Sequence, residues 1–253
     1  MDSWSRNLEL LIKSRTPLIW IRTKEEERLD KILNQSFERL NIKRFASWDC
    51  VNGIKGLLNE KGKFPNNPLG ALNWIKEQNS ELPTILLVKD FHKFYDDPSI
   101  SRTIKELSMS LRQTSNNLIL SSHLLPSSEE LDDLITILNL PLPNLSELTT
   151  LIKKIANNTD SDLNEQDLNK LAIASSGLSE TKLKQVTAKA LAQRGKISKE
   201  DIKEILEEKK QVIARSEILE FFESDSTQNE IGGLKVLKVW LKQRYRAFSK
   251  EAR

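Results

Sequence analysis

Thr84-Ile85-Leu86-Leu87-Val88-Lys89, entered through Pro83 and left through Asp90, is a continuous apolar run of strand length. A run without polar alternation suits a central strand covered on both faces, as in a parallel sheet layered by helices. Working outward, four more segments read as strands: 17–23, 44–49, 117–121 and 135–140, the last closed by Pro141 and Pro143. Helical spacings fill the gaps. An amphipathic helix gathers Trp4, Leu8, Leu11 and Ile12, and further helices are expected over 24–40, 69–78 and 99–114. A short one should follow Pro126, where Ser127-Ser128-Glu129-Glu130 offers a capping box. Strands alternating with helices predict an α/β unit with a mostly parallel sheet over residues 1–143.

After Pro143 the pattern turns wholly helical, from the cap-like Asn144-Leu145-Ser146-Glu147 to about residue 223. Leu163, Leu168, Leu171 and Ala172 mark one helix, and Leu183, Val186, Ala190 and Leu191 a second that stops at Gly195. Ser198-Lys199-Glu200-Asp201 caps a third carrying Ile202, Ile205 and Leu206. Residues 144–223 are therefore expected to form a small helical bundle. Residues 224–253 read as a polar linker followed by a basic amphipathic helix.

Composition narrows the function classes. The 253 residues carry a net charge of only +3 from 39 basic and 36 acidic side chains, so charge as a whole does not point to nucleic acid. The single cysteine, Cys50, excludes an internal disulfide and is read as a small packed side chain in a reducing compartment. No apolar run approaches the ~20 residues that span a bilayer, and the start lacks the pattern of a secretory signal. A cytoplasmic protein without a membrane partner is the expectation.

A phosphate loop needs a glycine-rich turn after a strand, with Lys and then Ser or Thr opening the next helix. None of the eight glycines is followed by Lys-Ser or Lys-Thr. The loop after the first strand is instead Thr23-Lys24-Glu25-Glu26-Glu27, and its carboxylates oppose a polyanion. Gly53-Ile54-Lys55-Gly56 and Lys61-Gly62-Lys63 remain as candidates for an atypical loop in an ATP-dependent enzyme. His92 and His123, after the third and fourth strands, could meet near Asp90, but no ligand spacing announces a metal and none is expected. Ser121 and Ser122 are read as strand-end hydrogen-bonders, and the basic tail with Trp240, Tyr245 and Phe248 as a solvated or packed helix rather than a nucleic-acid site.

Sheet unit followed by helical bundle resembles the layout of AAA+ modules. Ser175-Ser176-Gly177-Leu178-Ser179 through Leu183 is similar to the start of an AAA lid helix, with Gly177 and Ser179 as its motif, and 197–202 to the segment after it. The strand ending in Lys89-Asp90 resembles the apolar strand that ends in Asp-Glu in active modules, and Ile231-Gly232-Gly233-Leu234 resembles the adenine-side lead-in of a further AAA domain. Residues 14–28 and 88–92 are similar to the amino-terminal region of the Ycf-type AAA ATPases of cyanobacteria and plastids. The resemblance implies a degenerate, P-loop NTPase-like module with a helical lid, catalytically inert because Lys89-Asp90 supplies one carboxylate where two are needed. Asp90 is then read as a strand-end cap or salt-bridge partner. Docking on, regulating or recruiting protein partners for an ATPase domain beyond Arg253 is the implied role, with ATP and magnesium belonging to that domain and oligomerisation left open. The implied location is the cyanobacterial cytosol or plastid stroma, and the chain is expected to be a truncated or naturally short product.

Overall fold

The computed structural model describes residues 3–214, apart from 80, 126–130, 132, 160 and 162, together with 237, 239 and 240. Strands β1 (Leu18–Arg22), β2 (Arg44–Asp49), β3 (Gly53–Lys55), β4 (Thr84–Lys89), β5 (Asn117–Ser122) and β6 (Thr136–Asn139) form one sheet in the order β3-β2-β4-β5-β1-β6. Every pairing is parallel except the β2–β3 hairpin. Helices α1 (Ser3–Lys13) and α2 (Glu26–Arg39) cover one face, where Leu8, Ile12, Leu29, Leu33 and Phe37 pack on Ile19, Ile21, Ile85 and Leu87. Helices α3 (Pro68–Lys76) and α4 (Pro98–Ser110) cover the other, over Leu18, Trp20, Leu86 and Val88. Alternate residues of β1 and β4 thus feed opposite cores, which is why both strands read as unbroken apolar runs.

Four further helices, α5 (Leu145–Asn157), α6 (Glu165–Ser175), α7 (Glu180–Arg194) and α8 (Ile202–Ala214), build a separate core around Leu148, Ile152, Leu171, Leu183 and Ile205. Their starts follow local chemistry. Asn144 and Glu147 close a reciprocal capping box on α5, Ser179 Oγ accepts from the Lys182 amide on α7, and Ser198 with Asp201 caps the turn before α8. Gly195 ends α7 in the left-handed conformation. No helix among the described residues is long and apolar enough to cross a membrane.

Two expectations from the sequence change. The Gly53-Ile54-Lys55-Gly56 segment is an edge strand paired with Ser47, Trp48 and Asp49, so its amides serve the hairpin rather than converge on a phosphate. Lys61-Gly62-Lys63 folds back beneath it, the Gly62 amide donating to the Ile54 carbonyl and the Ile54 amide to the Lys63 carbonyl. The expected helix after Pro126, with its Ser127–Glu130 box, and the Ile231-Gly232-Gly233-Leu234 segment lie outside the described residues.

This tight return makes Gly53 the most demanding glycine. Its φ is +65°, and an added Cβ would stand 2.3 Å from the Lys63 carbonyl oxygen. Gly195 shares the positive φ but faces open space. In urea unfolding, Gly195→Ala is expected to cost about 1 kcal/mol for the left-handed backbone alone. Gly53→Ala should cost on the order of 3 kcal/mol, because backbone must also move.

Candidate functional site at the carboxyl ends of the strands

Parallel sheets gather loops at the carboxyl ends of their strands, and here the loops after β1, β4 and β5 meet there. The first, Thr23-Lys24-Glu25, turns directly into α2 with the Glu25 amide donating to Thr23 Oγ1 at 2.9 Å. Glu25 is 5% exposed. Its Oε1 accepts from the Glu180 amide, the first residue of α7, at 2.6 Å, and its Oε2 meets Arg28 Nη1 at 3.1 Å. An anion at a helix amino terminus is favourable, because unpaired amides and the helix dipole both point at it. The anion at the start of α7 is thus a side chain of the sheet unit.

Arg28 completes the tie. Its buried guanidinium also donates to the Pro141 carbonyl at 2.6 Å and to both carboxylate oxygens of Glu147 on α5, at 3.3 and 3.1 Å. Around this centre, Glu180 pairs with Lys31 at 2.7 Å and Lys184 at 2.8 Å, and Lys184 reaches Glu27 at 3.4 Å. The acidic stretch 25–27 therefore joins the sheet unit to the helical unit. Apart from Glu25 three residues before it, nothing local in the sequence marks Arg28, because its other partners lie 113 and 119 residues away.

At the end of β4 the chain divides its charges. Lys89 stays on the α2 face, with Nζ 2.6 Å from Asp30 and 3.5 Å from Glu26. Burial alone would lower its pKa, but the Asp30 hydrogen bond and the charges of Asp30 and Glu26 prevail and raise it. Asp90 turns the other way with φ +52°, a left-handed conformation that Asp tolerates better than most residues. Phe91 then drops into the core, edge-on to Trp20 at 5.8 Å. Trp20 Nε1 in turn donates to Ser122 Oγ at 3.1 Å, and Ser122 donates to the Leu124 carbonyl. Through this chain of contacts Trp20 fixes the loops that follow β4 and β5.

Those loops carry His92 and His123, whose rings meet at 4.6 Å and 81°. Asp90, His92 and His123 each offer a ligand atom within 4.8 Å of the others. Both ring nitrogens of His92 are buried without a hydrogen bond among the described residues. Burial, then the nearby His123 and Lys93, depress the His92 pKa against the opposing charge of Asp90, favouring neutral imidazole. A cavity of about 190 Å³ lies alongside, walled by Thr23, Lys24 and Glu26 on one side and Asp90, Ser121, Ser122 and His123 on the other. A larger cleft of about 580 Å³ runs from Lys24 and Glu25 to Gly177, Ser179 and Lys182.

The structure therefore separates Lys89 from Asp90 and places Gly177 and Ser179 across the cleft from the β1 loop. It corrects the reading of Asp90: its side chain makes no capping bond and, among the described residues, no salt bridge. It also brings the two histidines together beside Asp90, where their places after the third and fourth strands allowed them to meet, and so assembles three ligand groups. Ser122 does bond at its strand end, and Cys50 is half-buried against the core.

Removing Glu25 would take from the buried Arg28 guanidinium one of its two carboxylates, leaving it Pro141 and Glu147, and would leave the Glu180 amide without its acceptor. Glu25→Ala is expected to lose about 3 kcal/mol and to speed hydrogen exchange at the start of α7 more than in the sheet. The rim adds pH dependence. Burial would raise the Glu180 pKa, but hydrogen bonds from Lys184 and Lys31 outweigh it and hold it below the ordinary 4.5. A depressed carboxylate contributes stability that is present above its unfolded pKa and lost as pH falls through the folded one. Glu180→Gln should therefore flatten the pH–stability curve below about pH 4.5, as read by thermal unfolding.

Comparison with known proteins bears on this arrangement. The model for the N-terminal domain of SpoVK-like AAA ATPases matches residues 4–140, and that for their second domain residues 146–216. The uncharacterized AAA domain-containing protein ycf46 of Guillardia theta is 37% identical over 99% of this chain and 49% of its own length. That of Pyropia yezoensis is 34% identical over 99% of this chain and 51% of its own. The chain thus spans about half the length of these relatives. PCH-2 of C. elegans has a similar fold, with a TM-score of 0.54 at 14% identity over 83% of this chain and 68% of that one. A parallel sheet with a helical unit tied to its strand ends, matched by both domain models in order, makes this chain a member of the SpoVK-like AAA ATPase family.

Proposed function

We propose that this chain is a non-catalytic AAA-like module that docks on, regulates or recruits partners to an AAA ATPase domain. The buried Glu25 carboxylate is the observation that carries this reading. It takes the amide at the start of α7 and the Arg28 guanidinium, in the loop where an active module would cradle phosphates. The β1 loop has no glycine, and its Glu25 carboxylate already takes the helix amide and the guanidinium that a phosphate would need. Asp90 is a single carboxylate at a position that needs two for hydrated magnesium and the attacking water. The residues at the strand ends do not fit ATP and magnesium, so no nucleotide chemistry is assigned to them. With its lid held by its own side chains, the module is a rigid surface rather than a nucleotide-driven hinge. Its kinship supports a place in the cyanobacterial cytosol or plastid stroma, alongside an ATPase domain that does use ATP.

Titration with a fluorescent ATP analogue and magnesium is expected to give no saturable binding in the micromolar range. Saturable binding would overturn the inert reading. In the companion measurement, the part of the Guillardia theta relative that this chain does not match, produced separately, should bind this chain and hydrolyse ATP at a changed rate when the chain is added. No association and no rate change would reject docking.

A further inference from the structure

The strand-end cluster of Asp90, His92 and His123 belongs to none of the contacts that hold the helical unit. Its three donors converge from two loops, with ligand atoms within 4.8 Å. Zinc bound at about 2.0–2.2 Å in tetrahedral geometry sets its ligand atoms about 3.4 Å apart. Closing from at most 4.8 Å to that spacing takes no more than about 1.4 Å, and the exposed Asp90 side chain, which has no hydrogen bond of its own among the described residues, is free to supply its share.

A separate observation points to a ligand. A neutral imidazole has one N–H and one lone pair, and for His92 both nitrogens are buried with no partner among the described residues. An unmet buried polar group is costly, and a cation accepting the lone pair would relieve it. The frame is stiff: Phe91, between Asp90 and His92, packs on Trp20, and Trp20 is bonded to Ser122, the neighbour of His123. Such support orients imidazoles for coordination. The adjoining cavity of about 190 Å³ has room for water at the remaining position.

We propose that Asp90, His92 and His123 bind a divalent transition-metal ion of the zinc type, with water completing its coordination. Two imidazoles and one carboxylate suit zinc. Magnesium prefers six oxygens in octahedral array, and the triad offers one carboxylate. Glu26 on the cavity wall is drawn towards Lys89, and Lys24 and Lys93 add positive charge, so selectivity comes from the donors rather than from a negative field. The ion would staple the β4 and β5 loops together, adding to the sheet what Arg28 adds to the lid.

The test uses the full chain carrying Cys50→Ser, which removes the thiol as an adventitious ligand. Calorimetric titration with zinc chloride is expected to show stoichiometric binding and a raised unfolding temperature. Cobalt(II) should give visible d–d absorption that zinc abolishes, and magnesium should give no heat. His92→Asn and His123→Asn should each weaken zinc by about 100-fold or more, since even outer-shell changes cost 10–100-fold. Asp90→Asn, at an exposed position, should keep the circular dichroism of the parent while lowering affinity, so it remains informative if a histidine variant misfolds. Absence of stoichiometric zinc binding, or binding unchanged in all three variants, would overturn the site. Preference for magnesium would overturn the assigned class of ion.

Discussion

A buried guanidinium cannot be left without acceptors, and Arg28 satisfies that constraint in a way that organises the whole chain. Its partners are a carboxylate one turn back, a carbonyl just past the last strand, and a carboxylate on the first helix of the second unit. Glu25 extends the same network to the start of α7. Each partner comes from a different part of the fold, so the pairing is complete only when sheet and bundle are seated together. The cost of hiding these charges is what makes the seating specific.

The same region of an α/β module ordinarily has to stay open for a ligand. Here the loop after β1 is closed by its own side chains, and the unmet chemistry moves to the loops after β4 and β5. Lys89 is neutralised by α2 on one face, whereas Asp90 is turned by its left-handed backbone towards two histidines. Trp20 sits beneath both loops, with its ring against Phe91 and its indole N–H on Ser122. A core residue of the first strand thereby sets the distance between His92 and His123.

Apolar spacing carried the sheet unit well. β4 was legible because Ile85 through Val88 must be apolar on both faces, and β2 because its ends are polar. The hairpin strand β3 was not, since three residues led by glycine have no period to read and are held by Ser47–Asp49 opposite. Caps on α5 and the turn before α8 were legible because their donors and acceptors lie within three residues.

The layers and the helical second unit can be read from the chain alone, because periodicity and caps are local properties of the chain. It took the folded molecule to show that Glu25 faces α7 rather than solvent, that Arg28 spans 119 residues to Glu147, and how near Asp90 comes to His92 and His123. These are meetings between distant segments. Their distances depend on strand order and on which way a loop leaves the sheet, and neither is encoded in the spacing of the residues that meet.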